Sequence, residues 1–126
     1  MTDCSIKLLD FGLAKVIPDA MDVNATIVQT LSYRAPELFV QYAEYTNAID
    51  LWSVGCIMAE FYTDPGPFFP GATDVHVLYE IMRTVGPPPD SFMARAPHNV
   101  REFVSSRGIA MNMLNMDFYV VVMRVV

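Results

Sequence analysis

The sequence predicts a folded domain that is mainly α-helical. Its 126 residues are 53% hydrophobic and 17% charged, a balance that excludes a disordered or low-complexity chain. Apolar side chains recur at helical spacing in several segments, and proline or glycine follows the longer ones. A chain of this length builds one small core, so the composition alone predicts a single domain.

Two helices are predicted in the first half of the chain. Pro36 suits the first turn of a short helix over residues 36–39. Residues 48–62 form the strongest candidate, because 11 of 15 positions are apolar and either Thr46 or Asn47 can cap the first turn. A helix that is apolar nearly all round is expected to be buried.

Two further helices are predicted downstream. Residues 74–85 carry apolar side chains every three or four positions, and Thr73 or Asp74 is the candidate N-terminal cap. Gly86 opens a Gly-Pro-Pro-Pro stretch that ends this helix. Residues 98–106 predict one more short helix.

The two ends of the chain differ from the helical middle. Residues 5–9 read Ser-Ile-Lys-Leu-Leu and predict a short residual strand that enters a turn. Residues 15–28 show no periodicity and predict a surface loop. Residues 111–126 are rich in methionine and valine, so we expect an irregular or β-prone tail. Its apolar run 118–123 is an aggregation hazard if exposed.

Charge and cysteine content exclude several classes of function. The formal net charge of −6 argues against nucleic acid or an anionic membrane as the partner. The longest apolar run is far too short to span a bilayer, and residues 1–5 carry an acid and no apolar stretch, so we do not expect them to form a secretory signal. Cys4 and Cys56 form neither a disulfide framework nor a metal-binding spacing, so an intracellular protein is expected. His76 and His98 are isolated, and we expect both on the surface.

Four short motifs follow one another in a specific order. Residues 10–12 read Asp-Phe-Gly, residues 33–37 Tyr-Arg-Ala-Pro-Glu, residues 50–56 Asp-Leu-Trp-Ser-Val-Gly-Cys and residues 69–71 Phe-Pro-Gly. In this order they resemble the C-terminal lobe of a eukaryotic protein kinase, in the group of the cyclin-dependent, mitogen-activated and glycogen-synthase kinases. The resemblance implies a partial kinase domain over residues 1–110, followed by a tail over 111–126 without family resemblance.

The resemblance assigns the nucleotide-facing turn to Asp10, Phe11 and Gly12. Asp10 would hold the Mg²⁺ that accompanies ATP, because a carboxylate fixed beside the phosphates can ligate that ion. Phe11 would be the packing switch of the family, and Gly12 lets the backbone turn either way. Taken without the motif, Asp10 reads as a residue that starts a turn.

The resemblance also implies an activation segment and a structural anchor. The activation segment contributes Thr30, Tyr33, Arg34, Pro36 and Glu37. Thr30 would lie near the catalytic aspartate of the family, although a solvated loop threonine explains it almost as well. Glu37 would pair with a distant arginine for which this chain offers no matching context.

The anchor consists of Asp50, Trp52 and Gly55. Asp50 either stabilises the first turn of its helix or is buried and accepts backbone hydrogen bonds from the catalytic loop, and both roles are compatible. Trp52 and Gly55 would be packing residues. The resemblance further implies that residues 48–62 are apolar on all faces because family elements outside this chain cover them.

Three parts of the kinase template are missing from the sequence. The six glycines never form Gly-x-Gly-x-x-Gly, and no histidine is followed by arginine as a His-Arg-Asp motif requires. Lys7 and Lys15 are the only lysines, and both flank the Asp-Phe-Gly motif, so neither is placed to pair the phosphates.

We therefore expect a fragment of a serine/threonine kinase domain. Its parent family transfers the γ-phosphoryl group of ATP to protein hydroxyls, whereas this chain alone is expected neither to bind ATP and Mg²⁺ nor to transfer phosphate. The alternative is a non-catalytic interaction module whose helices between residues 74 and 107 dock a protein partner. A third reading is a chain with no stable fold.

Overall fold

The computed structural model describes residues 5–14, 30–40, 46–63, 65–86 and 89–106. The loop predicted over residues 15–28 lies outside these residues, and so does the tail 111–126. The described residues form five α-helices in chain order: α1 (Pro36–Phe39), α2 (Ala48–Glu60), α3 (Asp74–Val85), α4 (Asp90–Met93) and α5 (His98–Ser106). Two short 3₁₀ turns precede them, Phe11–Leu13 and Leu31–Tyr33.

The local signals in the sequence set the ends of the helices. Pro36 occupies the first turn of α1, where its missing N–H costs no hydrogen bond. The Thr73 side chain caps α3 by accepting from the backbone N–H of His76 at 3.3 Å, and Gly86 ends the helix with a φ of 94°. The predicted bounds of α1, α3 and α5 are confirmed, and the exposure of His76 and His98 is confirmed as well.

Three details of the predicted elements are wrong. Helix α2 ends at Glu60, two residues earlier than predicted. Helix α4 was not predicted, because it is a single turn that follows a proline-rich stretch. Residues 5–9 form no strand, because a strand needs a hydrogen-bonded neighbour and the described part of the chain supplies none.

Helix α3 lies at the centre of the hydrophobic core. Its four buried residues are almost completely shielded from solvent, and they pack with buried side chains of α1, α2 and α5. The members of this cluster with the largest side chains are Phe39, Val40, Trp52, Phe69, Val77, Leu78, Ile81, Met82 and Val100. Contacts of this kind, rather than helix propensity, hold such short helices in place.

Helix α2 is buried on one face only. Trp52, Cys56 and Ala59 point into the core, whereas Leu51 and Val54 on the opposite side are 42% and 48% exposed. The expectation of a helix buried all round is therefore wrong for this structure, because no described element packs on the second face. Despite its apolar sequence, α2 has 13 residues, and no helix in the described part of the chain could cross a membrane.

We predict that Leu78→Ala lowers the free energy of unfolding by about 2–4 kcal/mol, because Leu78 is 1% exposed and its loss leaves a cavity in the core around α3. Leu51→Ala makes the same chemical change on the open side of α2 and costs less than about 1 kcal/mol. Urea unfolding followed by the fluorescence of Trp52, the single tryptophan, measures both. Equal losses would contradict the assignment of the core to α3.

Candidate functional site

Asp10 adopts an unusual backbone conformation at the start of the Asp-Phe-Gly motif. Its φ of 60° and ψ of 70° lie in the left-handed region, and it is the one non-glycine residue with positive φ in the described part of the chain. Its carboxylate accepts from the Gly12 N–H at 3.4 Å. Aspartate tolerates this region better than most residues because its side chain can bond locally. The turn is therefore built by Asp10 itself.

The Asp10 turn does not fit a magnesium site. All residues from Ser5 to Ala14 are exposed, and Phe11 is 69% exposed. Within the described ranges, no three His, Cys, Asp or Glu side chains come together. Mg²⁺ is held by carboxylates together with substrate phosphates, and here Asp10 offers one carboxylate with no described group to hold phosphates.

The predicted activation segment is attached to α2 through the hydroxyl of Ser53. This hydroxyl donates to the backbone carbonyl of Tyr33 at 2.9 Å and lies 3.1 Å from the carbonyl of Ile49 in its own helix. Serine and threonine hydroxyls often bond the carbonyl four residues earlier in a helix. In this case the same hydroxyl also reaches across to the 3₁₀ turn Leu31–Tyr33, so the segment is fixed to the helix at its backbone.

A second attachment is formed by the carboxylate of Glu60. It accepts a hydrogen bond from the backbone N–H of Phe68 at 3.3 Å. Its interaction with the Tyr33 phenol, followed by burial and the negative charge of Glu60, raises the pKa of Tyr33 above its ordinary value of 10.0. One carboxylate thus connects the 3₁₀ turn Leu31–Tyr33, α2 and the loop that leads into α3.

Arg34 connects the predicted activation segment to α3. Its Nη1 donates to Oδ1 of Asp74 at 3.0 Å, and its guanidinium lies 5.4 Å from the ring centre of Phe39. Because the Asp74 side chain is 62% exposed, the ion pair contributes less than about 1 kcal/mol. The Arg34 side chain is 13% exposed, so its packing against Phe39 matters at least as much as its charge.

The other predicted residues of the activation segment occupy different environments. Thr30 is exposed, and its carbonyl accepts from the Tyr33 N–H at 3.1 Å. Pro36 is half-buried at the start of α1. Glu37 is also half-buried, and no salt bridge joins it to any residue that the structure describes.

The three predicted anchor residues separate into one exposed and two packed positions. Asp50 is exposed in the first turn of α2, so the expectation of a buried anchor is wrong for this structure, and the first-turn role remains. Trp52 is buried and stacks on Phe69, with ring centres 5.7 Å apart and planes at 14°. Gly55 lies half-buried in the middle of α2.

Sequence reasoning missed three residues that hold the segment in place. Ser53 and Glu60 are seven positions apart on α2, so they share one side of the helix with the buried Cys56. Two polar residues at that spacing in an apolar helix indicate polar contacts on that side, so the sequence contains a signal that could have identified them. Asp74 lies 40 positions from Arg34, and no local pattern in the sequence links them.

Comparison with known proteins settles the family. The family model for the protein kinase domain matches residues 1–117. The chain belongs to the protein kinase family. It is 41% identical over 105 residues to the mitogen-activated protein kinase p38b of Drosophila melanogaster, and 40% identical over 111 residues to the mitogen-activated protein kinase SLT2/MPK1 of Saccharomyces cerevisiae. These stretches cover 82% and 84% of this chain. The expected kinase group is therefore confirmed.

A solved kinase structure shares the fold. A MAP kinase of Leishmania major matches 60% of this chain with a TM-score of 0.50 and 32% identity. The matched part covers 25% of that kinase, and the chain spans 28% and 23% of the fly and yeast kinases. This protein thus corresponds to about a quarter of the length of the kinases it resembles. The family generally uses ATP and Mg²⁺.

Cys56 carries the largest pKa shift in this region. Its thiol is 3% exposed on the inner face of α2. Burial, followed by the negative charge of Glu60, raises its pKa from 9.0 to about 12. The thiol of the folded protein therefore stays protonated well above pH 9, and the residue is inert toward thiol reagents.

This shift predicts how stability depends on alkaline pH. The unfolded thiol ionises near pH 9, whereas the folded thiol holds its proton to about pH 12, so stability is complete below pH 9 and falls as the pH rises between these values. Urea unfolding at pH 8 and at pH 11 gives the fall in the free energy of unfolding between these two pH values. We expect this fall to be smaller in Cys56→Ala than in the unchanged protein, by on the order of 1 kcal/mol. Cys4 is common to both proteins and cancels, whereas the Tyr33 contribution changes only slightly, because the charge of Cys56 is the smallest of the causes that raise the pKa of Tyr33. Identical losses would contradict the burial of the thiol.

Proposed function

We propose that the chain is the activation segment and substrate-facing helical part of a serine/threonine protein kinase domain, and that by itself it transfers no phosphate. On this proposal, the complete catalytic unit phosphorylates protein hydroxyls with MgATP inside the cell. The observation that carries it is the contrast between two motifs in the same chain. Residues 31–40 are held by side chains of α2 and α3, whereas Asp10 to Gly12 are exposed.

Residues 31–40, which are held by side chains of α2 and α3, are suited to contact a protein substrate. Serine/threonine specificity is proposed from Thr30, an exposed residue at the start of the 3₁₀ turn Leu31–Tyr33. That turn is fixed to α2 by Ser53, and the residue after it, Arg34, is fixed to α3 by Asp74. A substrate segment presented to this edge would meet a rigid surface, which reduces the entropy lost on binding.

The part of the chain around Asp10 to Gly12 lacks the groups that position a phosphate in kinases. Phosphoryl transfer depends almost entirely on positioning and electrostatic stabilisation, which a glycine-rich loop, a lysine and a catalytic aspartate supply in kinases. The sequence contains no Gly-x-Gly-x-x-Gly and no His-Arg-Asp, and its two lysines flank the Asp10 motif. Asp10 alone can contribute one metal ligand and no general base.

A second candidate function is a non-catalytic module that binds protein partners. The clustering of α3 and α5 around one core favours it, because a packed pair of helices can present a surface without any catalytic part. The two candidates differ in whether phosphate transfer from ATP can be restored. A kinase segment regains transfer when the missing parts are supplied, whereas an interaction module does not.

The test uses the chain alone and a chimera. Alone, the chain is expected to show no rise in melting temperature with MgATP and no labelled phosphate transfer above that of Asp10→Asn. In the chimera, residues 5–106 replace the aligned stretch of the Drosophila melanogaster mitogen-activated protein kinase p38b, and transfer to a protein substrate is measured. We expect a chimera that transfers phosphate, with Asp10→Asn lowering the rate by about a hundredfold or more.

Asp90→Asn is the matched control in the chimera, because Asp90 is an exposed acid in α4 outside every kinase motif. It is expected to leave transfer unchanged. Transfer by the chain alone would contradict its proposed inactivity. A folded chimera without activity would overturn the kinase proposal and favour the interaction module.

A further inference from the structure

The hydroxyl of Ser53 faces two backbone carbonyls with a single proton to donate. The carbonyl oxygen of Tyr33 lies 2.9 Å from its Oγ, and that of Ile49, in the same helix, lies 3.1 Å away. A serine hydroxyl has one O–H donor, so the two carbonyls compete for it. The shorter distance belongs to Tyr33, which is 20 positions away in the sequence. The hydroxyl therefore serves the contact between two elements at the expense of a bond within its own helix.

This contact is partly shielded from water. Ser53 and Tyr33 are both half-buried, and Ser53 shares one side of α2 with the buried Cys56. A hydrogen bond is electrostatically stronger in such surroundings, and a carbonyl that loses its donor there is harder to satisfy with water. Removal of the Ser53 hydroxyl is therefore expected to change the position of the Tyr33 carbonyl.

The backbone of Tyr33 transmits this constraint to Thr30. The Tyr33 N–H donates to the Thr30 carbonyl at 3.1 Å, and the Tyr33 carbonyl accepts from Ser53. Both hydrogen-bonding groups of one backbone residue are thus engaged, one toward the start of the turn and the other toward α2. A rotation of the Tyr33 backbone would break one of these bonds or displace Thr30. Ser53 thus acts on Thr30 through Tyr33.

The two sides of the 3₁₀ turn Leu31–Tyr33 are held by different forces. Ala35, two residues after the turn, is fully buried, whereas Thr30 is exposed. Packing therefore fixes the C-terminal side, and hydrogen bonding orients the N-terminal side. We propose that Ser53 is a positioning residue that holds this turn in the orientation that receives the protein substrate. The inference rests on the proposed function, because it assigns Ser53 a role in the same phosphoryl transfer.

The role predicts an effect on substrate binding. A surface that is already ordered loses less entropy when a substrate segment binds to it. The ground state and the transition state both benefit from this order, so its loss raises KM and leaves kcat unchanged. ATP is not expected to contact the turn, so its KM is expected to stay constant.

The test measures KM and kcat in the chimera that carries residues 5–106. We expect Ser53→Ala to raise KM for the protein substrate about threefold to tenfold, which is the factor that one hydrogen bond of this kind contributes. The value of kcat and the KM for ATP should change by less than about twofold. Ser53→Thr should restore the low KM, because threonine keeps a hydroxyl on the same carbon.

Thr84→Val is the matched control. The Thr84 hydroxyl is half-buried and donates to the carbonyl of Glu80, four residues earlier in α3, at 2.8 Å. The substitution removes a hydrogen bond of the same type within one helix, so KM should stay unchanged.

Amide hydrogen exchange in the full chain reads the contact without any activity. Ser53→Ala should accelerate exchange of the Tyr33 and Arg34 amides about threefold to tenfold, because both close the turn. Thr84→Val should leave these two amides unchanged.

The outcomes separate this role from the proposed function. An active chimera in which Ser53→Ala leaves KM unchanged, lowers kcat instead, or acts no differently from Thr84→Val would overturn the positioning role alone. Unaltered exchange at Tyr33 and Arg34 in the full chain would overturn it as well. A folded chimera without activity would overturn the proposed function, and the role in substrate binding with it.

Discussion

The carboxylate of Glu60 is the interaction on which the arrangement of this kinase segment depends. It lies at the end of α2, accepts from the Phe68 N–H and interacts with the Tyr33 phenol, so three stretches of chain far apart in sequence meet at one side chain. Hydrogen bonds to a charged acceptor are stronger than those between neutral groups. Ser53 adds a second attachment two turns earlier on α2, and the stacking of Trp52 on Phe69 adds an apolar contact between α2 and the same loop.

This attachment divides the segment into two physically different halves. The residues that follow Thr30 are held from two directions by α2 and α3, through Ser53 and Asp74. The Asp10 turn is built on its own local hydrogen bond to Gly12. In phosphoryl transfer, positioning of the reacting groups supplies most of the rate enhancement. We therefore expect the exposed Asp10 turn to support no phosphoryl transfer by itself.

The sequence correctly predicted the features that depend on interactions between residues close together in the chain. Helices α3 and α5 were placed correctly because apolar periodicity, the Thr73 cap and the stop at Gly86 all act within a few residues. The motif order predicted the family before any contact was known. The exposure of Asp50 and the open side of α2 could not be predicted, because both depend on which distant elements pack against the helix. The Arg34 to Asp74 pair is equally non-local, since packing of α3 alone brings its members together.

The most direct test of the central role of Glu60 is amide hydrogen exchange in Glu60→Ala. If Glu60 joins the 3₁₀ turn Leu31–Tyr33 to α2, exchange of the amides in residues 31–39 should accelerate about tenfold or more, while those at the core of α3 keep their protection. Asp50→Ala, which removes the other acid of α2 from an exposed position, should leave both regions unchanged. Unaltered exchange in residues 31–39 of Glu60→Ala would contradict the account.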